Sequence, residues 1–226
     1  MSVPVNLYID FMSQPSRAVL AYCICNNIPH VIKETRLMER ANKTPEYKKI
    51  SPSGKVPGME HNGFTAFESH TILRYLSTLP EAKESWYPSD IKLRTRVDEY
   101  LDWHHTSIRF HSGAQVFYGV FAKNMGMDIK EGPNLKFHAK MLEAGFKLIN
   151  DFFLANSDFI NGFNNPTLAD LSAYCEIIGM RLVNYDFSKY PKLDSWLKRM
   201  EQIEGLKEAH VKYNKVVKML MERAKL

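Results

Sequence analysis

Ser13 is the residue of this sequence that is best placed to do chemistry. It lies between a short β-prone run, Val5 to Asp10, and a helix-like segment that opens with Pro15. A serine at this place can cap the helix, and taken alone the position favours that use. Its hydroxyl can also donate a hydrogen bond to a bound anion, which the positive end of the helix dipole would stabilise. The position by itself leaves both uses open.

Glu68 and Ser69 form a second polar pair, at the predicted start of another helix. The free amides of a helix N-terminus bind carboxylates, and a serine there also caps the helix. Capping alone explains Ser69, but it leaves Glu68 without a role. Lys43 and Lys55 precede this pair in the chain. As isolated residues, both lysines are explained as solvated surface charges.

The elements that position these residues begin as strand, helix and strand. Apolar residues at helical spacing predict a helix over Pro15 to Ile28, after the first strand. Val31 to Arg36 predicts a second strand. Lys43 to Ser53 is polar and holds two prolines, which predicts a loop with a short helical turn.

A hairpin and a helix are predicted next. Asn62-Gly63 lies between two extended segments within Gly58 to Phe67. Both of these turn residues favour a positive φ, which is the strongest short-range signal for a hairpin. Ser69 to Leu79 carries its apolar residues on one face, so it predicts a helix with Ser69 as the N-cap. The first part of the chain therefore predicts β-α-β-β-β-α.

The rest of the chain predicts helices only. Pro80 to Asp90 is polar and aperiodic, as a linker would be. Apolar spacing then indicates one long helix over Leu93 to Ile108 and another over Phe137 to Phe152. Thr167 begins a third helix, in which Thr167 caps the backbone and Asp170 caps back.

Composition places the chain among folded, soluble proteins. It has 226 residues, of which 45% are hydrophobic and 24% charged, so two modest domains or one large domain can bury a core. The formal charge of +5 is spread without a block of like charges, so we expect no nucleic-acid partner. No apolar run approaches the roughly 18 residues that a membrane span needs, so we expect no membrane partner.

Cysteine and histidine usage indicates a reducing compartment and no metal. The three cysteines, Cys23, Cys25 and Cys175, cannot form a disulfide framework. The first residues also lack the pattern of a signal peptide, so we expect a cytoplasmic protein. The 8 histidines show no ligand spacing with Cys, Asp or Glu partners, and we therefore predict no metal site.

Five segments, in this order, resemble the cytosolic glutathione transferases over nearly the whole chain. The first and the fourth resemble the theta class specifically. The segments are Asp10-Phe11-Met12-Ser13-Gln14-Pro15-Ser16-Arg17-Ala18, Ser53-Gly54-Lys55-Val56-Pro57, Glu68-Ser69, Trp86-Tyr87-Pro88-Ser89-Asp90 and Thr167-Leu168-Ala169-Asp170.

The resemblance implies an α/β fold followed by an all-α fold. Residues 1–80 would form a thioredoxin-like, glutathione-binding domain with a mixed four-stranded sheet. Residues 81–90 would be a linker. Residues 91–226 would form an all-helical domain that contributes the pocket for an electrophile. A homodimer is expected from the same resemblance.

The resemblance also implies a chemical role for Ser13. A thiol is a poor nucleophile until it ionises, and a cysteine thiol has a pKa of about 8.5. The Ser13 hydroxyl would donate a hydrogen bond to the sulfur of glutathione and hold it as a thiolate, without a general base. Ser16 would fall inside the first helical turn and act in capping. Arg17 could stabilise the local negative charge, although a surface or interface ion pair is the simpler interpretation.

Further residues are implied to hold glutathione, which is a co-substrate here. Val56 would pair its backbone with the cysteinyl part, at a cis Val56-Pro57 bond. Glu68 and Ser69 would hold the γ-glutamyl end. The polar contacts to the glycyl end would come from Asn42, Lys43 and Lys55.

A second, apolar substrate would lie against six residues: Phe11, Met12, Ile108, Arg109, Phe117 and Tyr118. Apolar residues at helical spacing are more often core than pocket. Arg109 could polarise a leaving group, and a solvated arginine is the alternative. The leading reaction would be conjugation of the thiolate to a small halogenated or aralkyl electrophile, in detoxification. The resemblance also leaves peroxide reduction and dehalogenation open, and the sequence does not choose among the three.

Two other functions stay open on the sequence. The chain could be a non-catalytic binding or scaffold protein that keeps the same fold. It could also sequester apolar ligands in an open pocket. The joint presence of Ser13, Lys55, Glu68 and Ser69 argues for the enzyme.

Overall fold

The computed structural model describes residues 2–122 and 132–223. They divide into two compact units. An N-terminal unit comprises Met1–Tyr87 together with Gln202–Val216, and a helical unit comprises Pro88–Glu201 together with Val217–Leu226. The sequence analysis predicts that residues 91–226 form one helical domain, and this prediction is wrong for residues 202–216. Those residues belong to the N-terminal unit because they pack on the first helix of the chain.

The N-terminal unit is built on a mixed four-stranded sheet. Its strands are β1 (Val5–Ile9), β2 (His30–Glu34), β3 (Gly58–His61) and β4 (Phe64–Phe67), in the order β2-β1-β3-β4. β1 pairs parallel with β2 and antiparallel with β3, and β3 pairs antiparallel with β4. Alternate residues of β1 are fully buried, so one face of the sheet lies on the core. The predicted thioredoxin-like arrangement is confirmed.

Three helices and one short turn complete this part of the unit. They are α1 (Gln14–Cys25), α2 (Pro45–Ile50) and α3 (Ser69–Leu76), with a 3₁₀ turn at Ala41–Lys43. Asn62 and Gly63 both have a positive φ, at 53° and 78°, and form the predicted hairpin turn. α1 and α3 each end three residues before the sequence predicted. At the end of α1 the chain turns through Asn27, whose φ is 54°.

The helical unit has no strand among its described residues, as the sequence predicts. Its helices are α4 (Ile91–His104), α5 (Phe110–Val116), α6 (Leu135–Leu148), α7 (Leu168–Ile177) and α8 (Pro191–Met200). Single π-helical turns follow three of them, at His105–Arg109, Phe117–Phe121 and Ile149–Phe153. The helix predicted over Leu93 to Ile108 is therefore part of a longer helical run from Ile91 to Phe121. None of the described helices is both long enough and apolar enough to cross a membrane.

Asp170 is the polar centre of the helical unit. Thr167 caps α7 and Asp170 bonds back to the Thr167 amide at 2.9 Å, which confirms the predicted capping box. The other carboxylate oxygen of Asp170 accepts from the Ile160 amide and from the Trp196 indole, both at 2.9 Å. Burial raises the pKa of this carboxyl group to about 6.

Two final helices bring residues 202–216 onto the N-terminal unit. They are α9 (Glu204–Ala209) and α10, which runs over Val211–Arg223. Gly205 of α9 lies against Cys25 at the end of α1, and a Cβ atom on Gly205 would be 3.0 Å from the Cys25 amide nitrogen. Only glycine permits so close an approach between these two helices.

Candidate active site

Ser13 caps α1 and is almost buried. Its side chain is 8% exposed, and its Oγ accepts a hydrogen bond from the Ser16 amide at 3.4 Å. This contact is long and uses a lone pair of the oxygen. The hydroxyl hydrogen is not consumed by it, because a serine oxygen accepts and donates at the same time. The capping role and a donating role are therefore compatible at this residue.

The chain before Ser13 is held by Asp10. One carboxylate oxygen of Asp10 accepts from the Met12 amide at 2.8 Å and the other accepts from the Leu37 amide at 2.8 Å. The Asp10 carbonyl also accepts from the Ser13 amide at 3.0 Å. We did not predict this role for Asp10. The available signal was an aspartate two residues before an unpaired amide, which is the pattern of an Asx turn.

Arg17 is buried, in contrast to the surface or interface ion pair that the sequence suggested. It is 1% exposed, and its Nη1 donates to the carbonyl oxygens of Phe11 at 3.1 Å and Met12 at 2.9 Å. Its guanidinium carbon lies 3.8 Å from the ring centroid of Tyr213. The cation thus bonds the segment that leads directly into Ser13.

The Val56-Pro57 peptide bond is cis, the form that the resemblance implies. β3 begins at Gly58, so Val56 lies just outside the hydrogen-bonded ladder of the sheet. The preceding carbonyl, of Lys55, accepts from the Tyr47 hydroxyl at 2.7 Å and from the Ser51 hydroxyl at 2.9 Å. Tyr47 and Ser51 were missed by the sequence analysis, since no local pattern links them to Lys55.

Glu68 occupies the N-cap position of α3, and Ser69 is the first helical residue. The prediction of Ser69 as the N-cap was therefore wrong by one residue. Glu68 has φ 71° and ψ 113°, and its side chain is exposed and makes no capping bond. A positive φ in a residue with a Cβ is strained, and such residues concentrate at functional sites. The exposed Glu68 carboxylate and the buried Ser69 hydroxyl therefore lie at the start of one helix.

Asn42, Lys43 and Lys55 lie around a tight turn at Gly54, whose φ is 62°. The Asn42 amide nitrogen is buried and donates to the Gly54 carbonyl at 2.6 Å. A direct contact from Asn42 to a ligand would have to use its remaining amide hydrogen or its oxygen. Lys43 and Lys55 are exposed, and Lys43 Nζ lies 3.4 Å from the place of a Cβ on Gly54.

Ile108 does not line a surface. It has no exposed area, and its Cδ1 packs so closely on Gly145 that a Cβ there would be 2.7 Å away. Its place in the predicted pocket is corrected to a place in the core of the helical unit. Helical spacing could not separate the two, because core and pocket residues share one periodicity.

The other predicted pocket residues keep some exposure within their own units. Phe11 and Met12 are half-buried in the N-terminal unit. Phe117 and Tyr118 of the helical unit make an edge-to-face contact at 5.1 Å, in a π-helical turn. Such turns occur often at functional sites.

Arg109 is paired with a buried carboxylate. Its side chain is 28% exposed, and its Nη1 lies 4.0 Å from Oε2 of Glu176, which is nearly fully buried. The other oxygen of Glu176 accepts from the Ser112 hydroxyl at 2.5 Å. The alternative of a freely solvated arginine is therefore wrong for the described structure. Glu176 carried no signal in the sequence.

The cysteines are not placed as nucleophiles. Burial raises the pKa of Cys23 to about 12 and that of Cys25 to about 11. Both thiols therefore stay protonated near neutral pH. Within residues 2–122 and 132–223 no cluster of three His, Cys, Asp or Glu side chains has the arrangement of a metal site.

Comparison with known proteins gives consistent matches. A family model described as "Glutathione S-transferase, N-terminal domain" matches residues 12–79. Glutathione S-transferase T1 of Arabidopsis thaliana is 36% identical over 209 residues, which cover 91% of this chain and 84% of the relative.

Two solved human structures match at a TM-score of 0.88. One is glutathione transferase theta-2 in complex with glutathione, at 32% identity over 98% of this chain and 90% of that chain. The other is a theta-class enzyme with the glutathione conjugate of 1-menaphthyl sulfate, at 30% identity over 98% and 92% of the two chains.

Proposed function

This chain belongs to the theta class of the glutathione transferase family, and from that premise we propose that it conjugates glutathione to small electrophiles. Ser13 stabilises the thiolate, and the reaction forms a carbon–sulfur bond as a halide or another leaving group departs. The observation that carries this proposal is the position of the Ser13 hydroxyl, almost buried at the N-terminus of α1 with its hydrogen not used by the cap.

The Ser13 hydroxyl and the dipole of α1 can together supply the free energy that is needed to lower the pKa of the thiol. Lowering the pKa of a thiol by two units from about 8.5 corresponds to roughly 2.7 kcal/mol. A hydrogen bond to a charged group contributes about 1.5–3 kcal/mol. The dipole of α1 adds about 0.3–1 kcal/mol. Ser13 and the helix together are therefore sufficient without a general base.

We assign glutathione to the residues around the cis Val56-Pro57 bond and the start of α3. The Val56 backbone, outside the ladder of β3, pairs with the cysteinyl part. The Ser69 hydroxyl and the first amides of α3 hold the γ-glutamyl carboxylate, while the exposed Glu68 carboxylate holds the amine. Lys43 and Lys55 hold the glycyl carboxylate, and Asn42 contributes by fixing the Gly54 turn.

The electrophile is small, apolar and either aralkyl or halogenated. The solved theta-class relative in complex with the glutathione conjugate of 1-menaphthyl sulfate supports the aralkyl class. We assign the contacts to Phe11, Met12, Phe117 and Tyr118, with Arg109 available to a departing anion. The proposal includes a homodimeric, cytoplasmic enzyme.

The test is an ultraviolet titration of the thiolate of bound glutathione in the native protein and in Ser13→Ala. We expect the pKa of the bound thiol to rise by about two units in the variant, from about 6.5 to about 8.5, so that the thiolate fraction at pH 7 falls roughly 25-fold. Ser16→Ala is the matched control, because the Ser16 hydroxyl is buried and has no hydrogen-bond partner in the described structure. An unchanged pKa in Ser13→Ala would refute the role of Ser13.

Turnover separates conjugation from a binding or scaffold function. We expect native protein and Ser16→Ala to consume glutathione with benzyl or menaphthyl halides, and Ser13→Ala to do so far more slowly. Binding of glutathione without turnover in the native protein would favour the non-catalytic alternative.

A further inference from the structure

A buried cation is costly unless its donors are used. Arg17 lies one turn into α1 and is almost completely buried. Its Nη1 bonds two consecutive carbonyl oxygens, those of Phe11 and Met12, at 3.1 and 2.9 Å. These two residues immediately precede Ser13. The guanidinium therefore fixes the peptide planes that lead into the serine.

The other side of this cation is covered by Tyr213, from the C-terminal segment of the same unit. The ring of Tyr213 is 4% exposed, and its centroid is 3.8 Å from the guanidinium carbon. This is a close cation–π contact, and desolvated contacts of this kind are the strong ones. A planar guanidinium held on a ring cannot turn its donors away from the two carbonyl oxygens without losing that contact.

The same short segment is held from its amide side by Asp10. The carboxylate of Asp10 accepts from the Met12 amide, and the Asp10 carbonyl accepts from the Ser13 amide. Arg17 therefore restrains the carbonyl groups of this segment, and Asp10 restrains its amide groups. The remaining freedom of Ser13 is the rotation of its side chain.

We propose that Tyr213 and Arg17 are positioning residues that orient the Ser13 hydroxyl toward the thiolate. The inference rests on the proposed function of Ser13 and extends it to a residue of the C-terminal segment. Tyr213 acts on Arg17, Arg17 acts on the Phe11 and Met12 carbonyl groups, and these set the backbone of Ser13. Neither Tyr213 nor Arg17 needs to touch the sulfur.

The first test changes the ring without changing its shape. Tyr213→Phe keeps the aromatic face, and fluorinated phenylalanines at the same position weaken its attraction for a cation step by step. We expect the pKa of bound glutathione to be native-like with phenylalanine and to rise with each fluorination. A pKa that is independent of fluorination would overturn the proposal.

The second test removes the ring or the planar cation. Tyr213→Leu and Arg17→Lys are expected to raise the pKa of bound glutathione by about one unit, from about 6.5 to about 7.5, a roughly threefold loss of thiolate at pH 7. kcat should fall while KM for glutathione changes much less, since neither residue contacts the tripeptide. Lys215→Ala, an exposed neighbour on α10, is the control and should leave both constants unchanged.

A double-mutant cycle shows whether Tyr213 acts through Ser13. In the Ser13→Ala background, Tyr213→Leu should raise the pKa of bound glutathione no further. Additive effects of the two changes would mean that Tyr213 acts by another route and would overturn the inference. If Ser13→Ala alone had no effect, the proposed function would fail first. An effect of Ser13→Ala with none from Tyr213→Leu would defeat the positioning role alone.

Discussion

At atomic scale, the Ser13 hydroxyl is able to serve both of the uses that the sequence left open. A cap needs an acceptor and a thiolate needs a donor, and one serine oxygen supplies both. The Ser16 amide donates to the Ser13 oxygen, which leaves the Ser13 hydroxyl hydrogen free to donate. The Ser13 hydrogen bond to sulfur that we propose therefore costs α1 nothing at its N-terminus.

Glu68 gives a prediction in which fold stability and ligand binding move in opposite directions. Its φ of 71° is strained for a residue with a Cβ, at a cost of about 1–3 kcal/mol. Glycine removes the strain and adds about 0.5–1 kcal/mol of unfolded-state entropy. Glu68→Gly should therefore raise the free energy of unfolding by up to about 2 kcal/mol in denaturant titrations. KM for glutathione should rise about tenfold, because a charge-assisted bond is lost.

Glu68→Gln is the matched control for this prediction. It keeps the Cβ and hence the strain, so the free energy of unfolding should stay near that of the native protein. It removes the charge, so KM for glutathione should rise as it does in Glu68→Gly. A Glu68→Gly protein that unfolds more easily than the native one would contradict the strain argument.

At the scale of elements, the packing of α9 on α1 depends on one glycine. A Cβ on Gly205 would meet both the Sγ and the backbone of Cys25, and the backbone cannot move aside as a side chain can. Gly205→Ala should lower the free energy of unfolding by about 1–3 kcal/mol, the usual effect of overpacking. Thermal and denaturant unfolding both measure it.

Gly113 of α5 offers the control for the effect of alanine in a helix. A Cβ there would meet nothing within 4 Å. Gly113→Ala should therefore stabilise the protein by about 0.5–1 kcal/mol through helix propensity alone. If both alanine variants changed the free energy of unfolding in the same direction, the close contact between Gly205 and Cys25 would not explain the effect of Gly205→Ala.

The π-helical turns are a feature that the spacing of apolar residues could not predict. Each inserts one residue into an α-helical repeat, at His105–Arg109, Phe117–Phe121 and Ile149–Phe153. The apolar spacing predicted helices across the first and third of these stretches, and the chain is helical there. Four apolar residues that marked the predicted helix over Phe137 to Phe152 are nevertheless exposed: Phe137, Met141, Leu148 and Phe152.

At the scale of the whole molecule, two buried titratable groups act in opposite directions on stability against pH. Burial holds the pKa of His210 down at about 3, and the charge of Arg17 adds to this effect. The folded state then binds fewer protons at this site than the unfolded state between about 3 and 6.5, so stability is lost as pH falls through that range. Asp170, with a pKa of about 6, has the opposite effect between about 3.8 and 6.

His210→Gln should remove the loss of folding stability that His210 causes as the pH falls below about 6.5. The effect of Asp170 on stability should remain. Between pH 6.5 and 5 the native protein should lose about 2 kcal/mol relative to the variant, at about 1.36 kcal/mol for each pH unit. The groups that face His210 include Arg17 of α1, the Tyr213 ring of α10 and the Leu206 carbonyl, at 2.7 Å from Nδ1. Urea titrations at several pH values measure the difference. If the free energy of unfolding depended on pH in the same way in both proteins, His210 could not be a buried, neutral imidazole.

The sequence by itself determined those features whose causes lie within a few residues of one another. Asn62-Gly63 specified the hairpin because both residues accept a positive φ. Thr167 and Asp170 specified the start of α7 because each bonds the backbone of the other. The place of Ser13 at the start of α1 was predicted because the strand before it and the helix after it are visible in neighbouring residues. Family resemblance, and not spacing, indicated the theta class.

Only the tertiary structure decided which surfaces meet. Arg17 and Tyr213 are far apart in the chain, and no local pattern predicts that a ring from α10 covers a cation in α1. Ile108 has the periodicity of a pocket residue, and its burial against Gly145 decided that it is core. Local bonds are fixed by sequence neighbours, whereas burial and desolvation depend on every element that packs against a residue. The environment of Ser13 is therefore a property of the folded unit, while its identity is a property of the sequence.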